Sequence, residues 1–266
     1  MIHSGDSMSL KLFLAVIPII IILLVVYNKD RSKEPLALLL GLFISGIGSC
    51  FLVLFISEIM GKFLPFMNTS IENQSFFQTL LYAFIGVALI EEFCKWFMVF
   101  VIGYNNKEFD EIYDVIVYSI FVSLGFAFFE NIVYVLQSQY ITTAIIRAVS
   151  AVPSHACDAV FMGYYLSVAK QCSYKGMKNY ETKNIILSII IPTLLHGIYD
   201  FCLMSGLPIL VIVFIAFVVA LYVISINRLK SIADSNRKIK FKNKFCGMCG
   251  SRVEGEFCGH CGRKQE

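Results

Sequence analysis

The chain is 266 residues long, 58% hydrophobic and 15% charged, with a formal net charge of +3 and a mean hydropathy of +0.74. An average soluble domain is about 45–50% apolar, so this composition excludes one and predicts an all-α polytopic membrane protein. The positive excess sits in one C-terminal run, which predicts contact with anionic lipid head groups and not with nucleic acid.

Segments able to cross about 30 Å of hydrocarbon as helices are predicted at 10–27, 36–57, 77–102, 112–136, 141–169, 184–204 and 207–227, seven in all. The first lacks a small-residue cleavage site and is followed by Lys29, Arg31 and Lys33, so it reads as a retained helix. Lys and Arg number 3 in loop 28–35, 4 in 170–183 and 10 from 228 onward, against 1 in 58–76. The positive-inside rule then places the N-terminus outside and the C-terminus in the cytoplasm. Small residues at helical spacing, Gly41, Ser45 and Ser49 in the second helix and Ser119, Ser123 and Ala127 in the fourth, predict faces of close helix approach.

Ionisable side chains interrupt the apolar spans: Glu91, Glu92 and Lys95 in the third, Glu130 in the fourth, Arg147, His155 and Asp158 in the fifth, His196 and Asp200 in the sixth. A charge at a helix centre costs about 2.5–3.5 kcal/mol on insertion scales, so these groups must face one another or water, which marks a functional site. The alternating helix directions put Glu91, Glu92, His155 and His196 near the midplane, and Glu130, Arg147 and Asp200 in the outer half.

Lys95 is three residues from Glu92 and four from Glu91, so it neighbours both carboxylates, while the glutamates point about 100° apart and one of them faces the cavity squarely. His196 and Asp200 lie one turn apart, which lets the carboxylate fix the imidazole tautomer. Pro153 should kink the fifth helix beside His155. Glu130, with Asn131 and Tyr134, is expected to support the site by orienting Arg147. A serine nucleophile at Ser150 or Ser154 would need a base within hydrogen-bond reach, and residues adjacent in a helix, such as Ser154 and His155, do not face each other. A transporter or proton relay would also need midplane carboxylates and histidines, but the paired interrupted helices of inverted-repeat carriers are not evident. A non-enzymatic scaffold or immunity protein would instead function without Glu91 and Glu92.

After Asn227 the composition changes. Residues 1–228 form the membrane domain, 229–244 a basic linker with Arg237, Lys238, Lys240, Lys242 and Lys244, and 245–264 a small ribbon. There, Cys246-x-x-Cys249 and Cys258-x-x-Cys261 supply four thiolates at the spacing of a closed, structural zinc site, which would dock an unknown cytoplasmic partner. His260 reads as a solvated spacer, and Cys50, Cys94, Cys157, Cys172 and Cys202 as packing residues.

Taken in order, Glu91-Glu92-x-x-Lys95, Asp114, Gly125-Phe-Ala-Phe-Phe-Glu130-Asn131-x-x-Tyr134, Arg147 with Pro153-x-His155, and His196-Gly-x-x-Asp200 resemble the motifs of the PrsW family of bacterial intramembrane proteases. The resemblance covers about residues 85–205. Val115 and Ser119 stand where that family has small glycines, and the cysteine ribbon is an appendage to it. The resemblance implies an intramembrane endopeptidase of the bacterial plasma membrane that makes the first cut in a single-span, membrane-anchored anti-sigma factor. It implies Glu91 or Glu92 as the base for water, with His155 and His196 as oxyanion stabilisers or as ligands of a catalytic zinc. One Glu and two His suit an open zinc site, and the same residues can also activate water without metal.

Overall fold

The computed structural model describes residues 4–235, 244–245, 248–249, 251–253 and 260–264. Among the described residues six helices are long and apolar enough to cross a membrane: Met8–Lys29, Leu36–Phe63, Ile112–Gln137, Ile141–Tyr174, Lys178–Met204 and Pro208–Ser235. In chain order the α-helices are α1 (Ser4–Lys29), α2 (Leu36–Phe63), α3 (Phe76–Leu81), α4 (Ile90–Met98), α5 (Ile112–Gln137), α6 (Ile141–Val149), α7 (Ala151–Tyr174), α8 (Lys178–Met204) and α9 (Pro208–Ser235). The segment expected as a third crossing is helical from 76 to 104 but divided: π-helical turns at Tyr82–Leu89 and Val99–Tyr104 flank α4. No piece of it crosses alone, and it carries Glu91, Glu92 and Lys95. π turns are rare and concentrate at functional sites.

α5 is the hub. It packs against α1, α2 and α7, and its buried face mixes large aliphatics with Ser119, Ser123 and Asn131. Up to Ile226, α9 is almost wholly apolar and turns Ile209, Ile212, Ile215 and Val219 outward, as a lipid-facing helix should. Between α2 and α5 the contact is backbone to backbone. A Cβ on Gly46 would strike the Val122 carbonyl and one on Gly125 the Phe43 carbonyl, so only glycine permits this approach. The seam is therefore shifted from the row expected on α2: Ser49 is buried, but Gly41 meets nothing within 4 Å. On α5, Ser119, Ser123 and Ala127 are all buried.

Pro153 does interrupt its helix, three residues upstream of its own position. Lacking an N–H, it leaves the Val149 carbonyl without its helical donor. The chain breaks at Ser150 (φ −118°, ψ −63°), separating α6 from α7. The Tyr222 hydroxyl of α9 lies 2.9 Å from both the Val149 and the Ser150 carbonyl oxygens and donates to them. Ser150 itself bonds the Tyr199 hydroxyl of α8 at 2.8 Å.

At the other end of the bundle Asp30, Glu34, Glu111 and Asp114 are buried together. The Asp110 and Glu111 amides donate to Asp114 and start α5, and the Tyr118 hydroxyl donates to Glu34 at 2.5 Å. In the tail, β1 (Lys244–Phe245) pairs antiparallel with β2 (Arg252–Val253). Cys249, His260 and Cys261 are exposed, while Cys246 and Cys258 of the expected zinc ribbon lie outside the described residues.

Candidate active site

The nine residues of α4 carry a charged face that meets α5, α7 and α8. Lys95 is fully buried and donates to Glu92 Oε1 at 2.6 Å, with Glu91 Oε2 at 3.5 Å and His155 Nδ1 at 3.2 Å. Its ammonium also lies 4.3 Å above the centre of the Phe126 ring. Such a buried charge persists only when its neighbours compensate it, and here two carboxylates and a π face do so.

The histidines come from opposite sides. His196 places Nδ1 2.8 Å from Glu92 Oε1, and its Nε2 lies 3.4 Å from Asp200 Oδ2 and 3.8 Å from Glu91 Oε2. The His155 Nε2 is 3.0 Å from Glu130 Oε2. An ammonium can only donate, so the Nδ1 of His155 accepts from Lys95 and its Nε2–H donates to Glu130. The two rings meet edge to face with centroids 5.3 Å apart.

Behind His155 runs a positioning chain. Arg147 donates from Nη2 to Glu130 at 2.8 Å and from Nε to Asn131 at 2.5 Å, and stacks over the Tyr134 ring. Asn131 in turn donates to the Ala15 carbonyl of α1 at 3.2 Å. Glu130, Asn131, Tyr134 and Arg147 thus form one unit holding one imidazole.

All of this borders a cavity of about 370 Å³. Glu91, Glu130, His155, Asp158, His196 and Asp200 line it, with Tyr82, Ser150, Ser154 and Tyr199 on its walls. The two glutamates differ. Glu91 lines the cavity with 11% of its side chain exposed and meets Lys95 only at 3.5 Å, whereas Glu92 is fully enclosed, its Oε1 gripped by Lys95 and His196.

A metal fits these residues. Glu92, His155, Asp158 and His196 each offer a ligand atom, all within 4.8 Å of one another. Glu92 Oε2 and Asp158 Oδ1 are buried without a hydrogen-bond partner, which leaves two carboxylate oxygens suited to a cation. A set of two imidazoles and carboxylates suits a borderline divalent ion.

A profile of the "PrsW family intramembrane metalloprotease" group matches residues 34–225. The chain belongs to the PrsW family. Protease PrsW of Oceanobacillus iheyensis is 39% identical over 213 residues, covering 80% of this chain and 91% of the relative. Protease PrsW of Clostridioides difficile is 33% identical over 241 residues, covering 89% and 97%, and that of Bacillus subtilis 36% identical over 178 residues, covering 66% and 75%. No solved structure matches. The PrsW match makes this chain a multi-pass intramembrane protease of a family described as metalloproteases.

The ionisable side chains singled out by the PrsW resemblance stand at or directly behind this cavity, except Asp114, which caps α5 at the far end. Asp158 stands among the intramembrane charges of the sequence but has no role in the site as read there. The signal was present, since Asp158 follows His155 by three residues and shares its helix face. Tyr199 and Ser150 carry no comparable signal, because hydroxyls are common in membrane helices.

Proposed function

We propose that this protease cleaves a single-span membrane protein of the anti-sigma-factor class near the outer face of a bacterial plasma membrane, with Glu91 as the base that activates water. The observation that carries the assignment is the contrast between the glutamates. Glu91 lines the cavity and makes no hydrogen bond closer than its 3.5 Å ion pair with Lys95, whereas Glu92 lies behind it, its Oε1 held by both Lys95 and His196. Glu91 takes a proton from water as the water oxygen attacks the scissile carbonyl carbon, and returns it to the amide nitrogen as the C–N bond breaks.

Glu92, His155 and His196 are read as ligands of a catalytic zinc. Bound there, the metal supplies Lewis-acid polarisation of the carbonyl and a more acidic water. Glu130 keeps the Nε2–H of His155 engaged, which turns the Nδ1 lone pair inward, and the Lys95 hydrogen bond that this lone pair accepts would give way to a bound ion; Arg147, Asn131 and Tyr134 hold Glu130 in place, and Asp200 orients His196.

The cavity also touches Ile71, Leu203 and Met204, at the end of the bundle away from the Lys-rich loops 28–35 and 170–183. With the N-terminus outside, that end is extracytoplasmic, which supports cleavage there and a cytoplasmic C-terminus. The linker 229–244 would then lie on anionic lipid, with the Cys246, Cys249, Cys258 and Cys261 ribbon holding a structural zinc and engaging a cytoplasmic partner.

The test is cleavage of a single-span anti-sigma-type substrate in liposomes by wild type, Glu91→Gln and Glu92→Gln, with and without a strong chelator. Glu91→Gln should abolish cleavage while retaining the metal, and Glu92→Gln should lose both. Wild-type turnover in Glu91→Gln would overturn the assignment. Wild-type turnover under chelator would overturn the metal.

A further inference from the structure

Asp158 is the buried charge that the mechanism above leaves unused. It is 2% exposed and lines the cavity, and its Oδ1 is buried without a hydrogen-bond partner. Among the described residues it makes no ion pair, whereas Glu92 and Glu130 each have two such partners and Asp200 has one. A buried carboxylate with neither a hydrogen bond nor an ion pair costs several kcal/mol, and Lys95 and His196 act on it only from beyond ion-pair distance, so a cation bound against it would satisfy it.

Its surroundings supply the rest of a coordination set. The donor oxygen of Asp158 lies within 4.8 Å of donors from Glu92, His155 and His196. Two ligands at ~2.1 Å on opposite sides of one ion are ~4.2 Å apart, so small side-chain rotations close the set. These donors come from α4, α7 and α8, and Asp158 adds a second one from α7, a turn beyond His155.

We propose that Asp158 is a further ligand of the active-site metal, making the set two imidazoles and two carboxylates; this rests on the metal reading of the site given above. A second hard oxygen donor moves the preference of the site away from soft ions such as Cd²⁺ and toward zinc and harder divalent ions. It also balances more of the ion's charge within the bundle, where no water can do so cheaply.

The experiment uses the full chain with Cys246, Cys249, Cys258 and Cys261 changed to Ser, so that zinc in the tail is not counted. Bound metal is measured by mass spectrometry after dialysis against chelator-buffered Zn²⁺ or Cd²⁺. The parent should hold one zinc. Asp158→Asn should bind it about tenfold or more weakly, with elution from size exclusion unchanged. Asp158→Cys should shift the Cd²⁺-to-Zn²⁺ affinity ratio by about tenfold or more toward Cd²⁺, since a thiolate replaces a carboxylate; a purely structural role would not move that ratio. Parental zinc affinity in Asp158→Asn overturns the proposal and leaves the Glu92, His155 and His196 set standing. If Asp158→Asn does not fold, an unshifted ratio in Asp158→Cys overturns it instead. A parent that holds no zinc overturns the metal reading itself, and this ligand with it.

Discussion

Lys95→Met removes the ammonium on which the two adjacent glutamates depend while keeping much of the side-chain volume. Lys95 is fully buried, 2.6 Å from Glu92 Oε1 and 3.5 Å from Glu91 Oε2, and Glu92 has no solvent to turn to. Removing one partner of a buried pair costs about 3–5 kcal/mol because the other charge is stranded. For a chain of this size about 2–4 °C is lost per kcal/mol, so the melting temperature in detergent should fall by roughly 6–20 °C. The double variant Lys95→Met with Glu92→Gln should recover most of that loss, since a neutral amide needs no counter-charge, giving a coupling on the order of 2 kcal/mol. Zn²⁺ should raise the melting temperature of Lys95→Met more than that of wild type, because a divalent ion replaces the missing positive charge. A Lys95→Met protein that melts within about 2 °C of wild type, or a double variant no better than the single, would refute the reasoning.

Arg147→Ala should lower the cleavage rate in liposomes about 10–100-fold by freeing Glu130 and the His155 ring, and Arg147→Lys should not restore it, because an ammonium cannot reach Glu130 and Asn131 together. Gly125→Ala should cost about 1–3 kcal/mol in thermal unfolding, since the new methyl meets the Phe43 backbone and not a side chain that can move aside. Burial pushes the Glu34 carboxyl up from 4.5 to about 7, with Asp30, Glu108 and Asp110 adding to the effect against the Tyr118 hydrogen bond. Glu34 therefore holds its proton to higher pH in the folded chain, so its own contribution to stability is fully present below the lower value and is lost as pH rises toward the upper one. Melting curves of Glu34→Gln across that range should be flatter than those of wild type.

Much of the site was legible because charge is conspicuous in an apolar span. Glu91, Glu92, Lys95, Glu130, Arg147, His155, His196 and Asp200 announce themselves by cost alone, and the i+3 and i+4 spacings of Lys95 and Asp200 name their partners. Which glutamate meets the cavity was not legible, since a 100° separation fixes their difference and not the rotation of the helix. That rotation depends on the π turns around α4, which have no sequence signature in an unbroken apolar run. The Pro153 break was expected near the right place, since proline frees the carbonyl four residues back; that the Tyr222 hydroxyl arrives from α9 to satisfy the Val149 and Ser150 carbonyls is a long-range contact that no local pattern encodes. The glycine seam failed in a similar way: the small residues of α2 were visible, but only the packed partner decides that Gly46 and not Gly41 lies at the contact.

An uninterrupted α-helix transmits a twist along its length, so anchoring one end sets the bearing of every side chain. With a π turn on either side, the segment Ile90–Met98 is geared separately from the rest of its membrane passage. Its bearing is set laterally, by Lys95 against His155 and by the bond from Trp96 to Ser188 of α8 at 2.9 Å. Deleting one residue from 82–89 would swing everything on one side of it by about 100° relative to the other, whereas substituting residues there would leave the angle intact. The surplus residue in each wide turn acts as an angular adjustment, and it lets the outer parts of this helix drift in sequence while the carboxylates keep their aim.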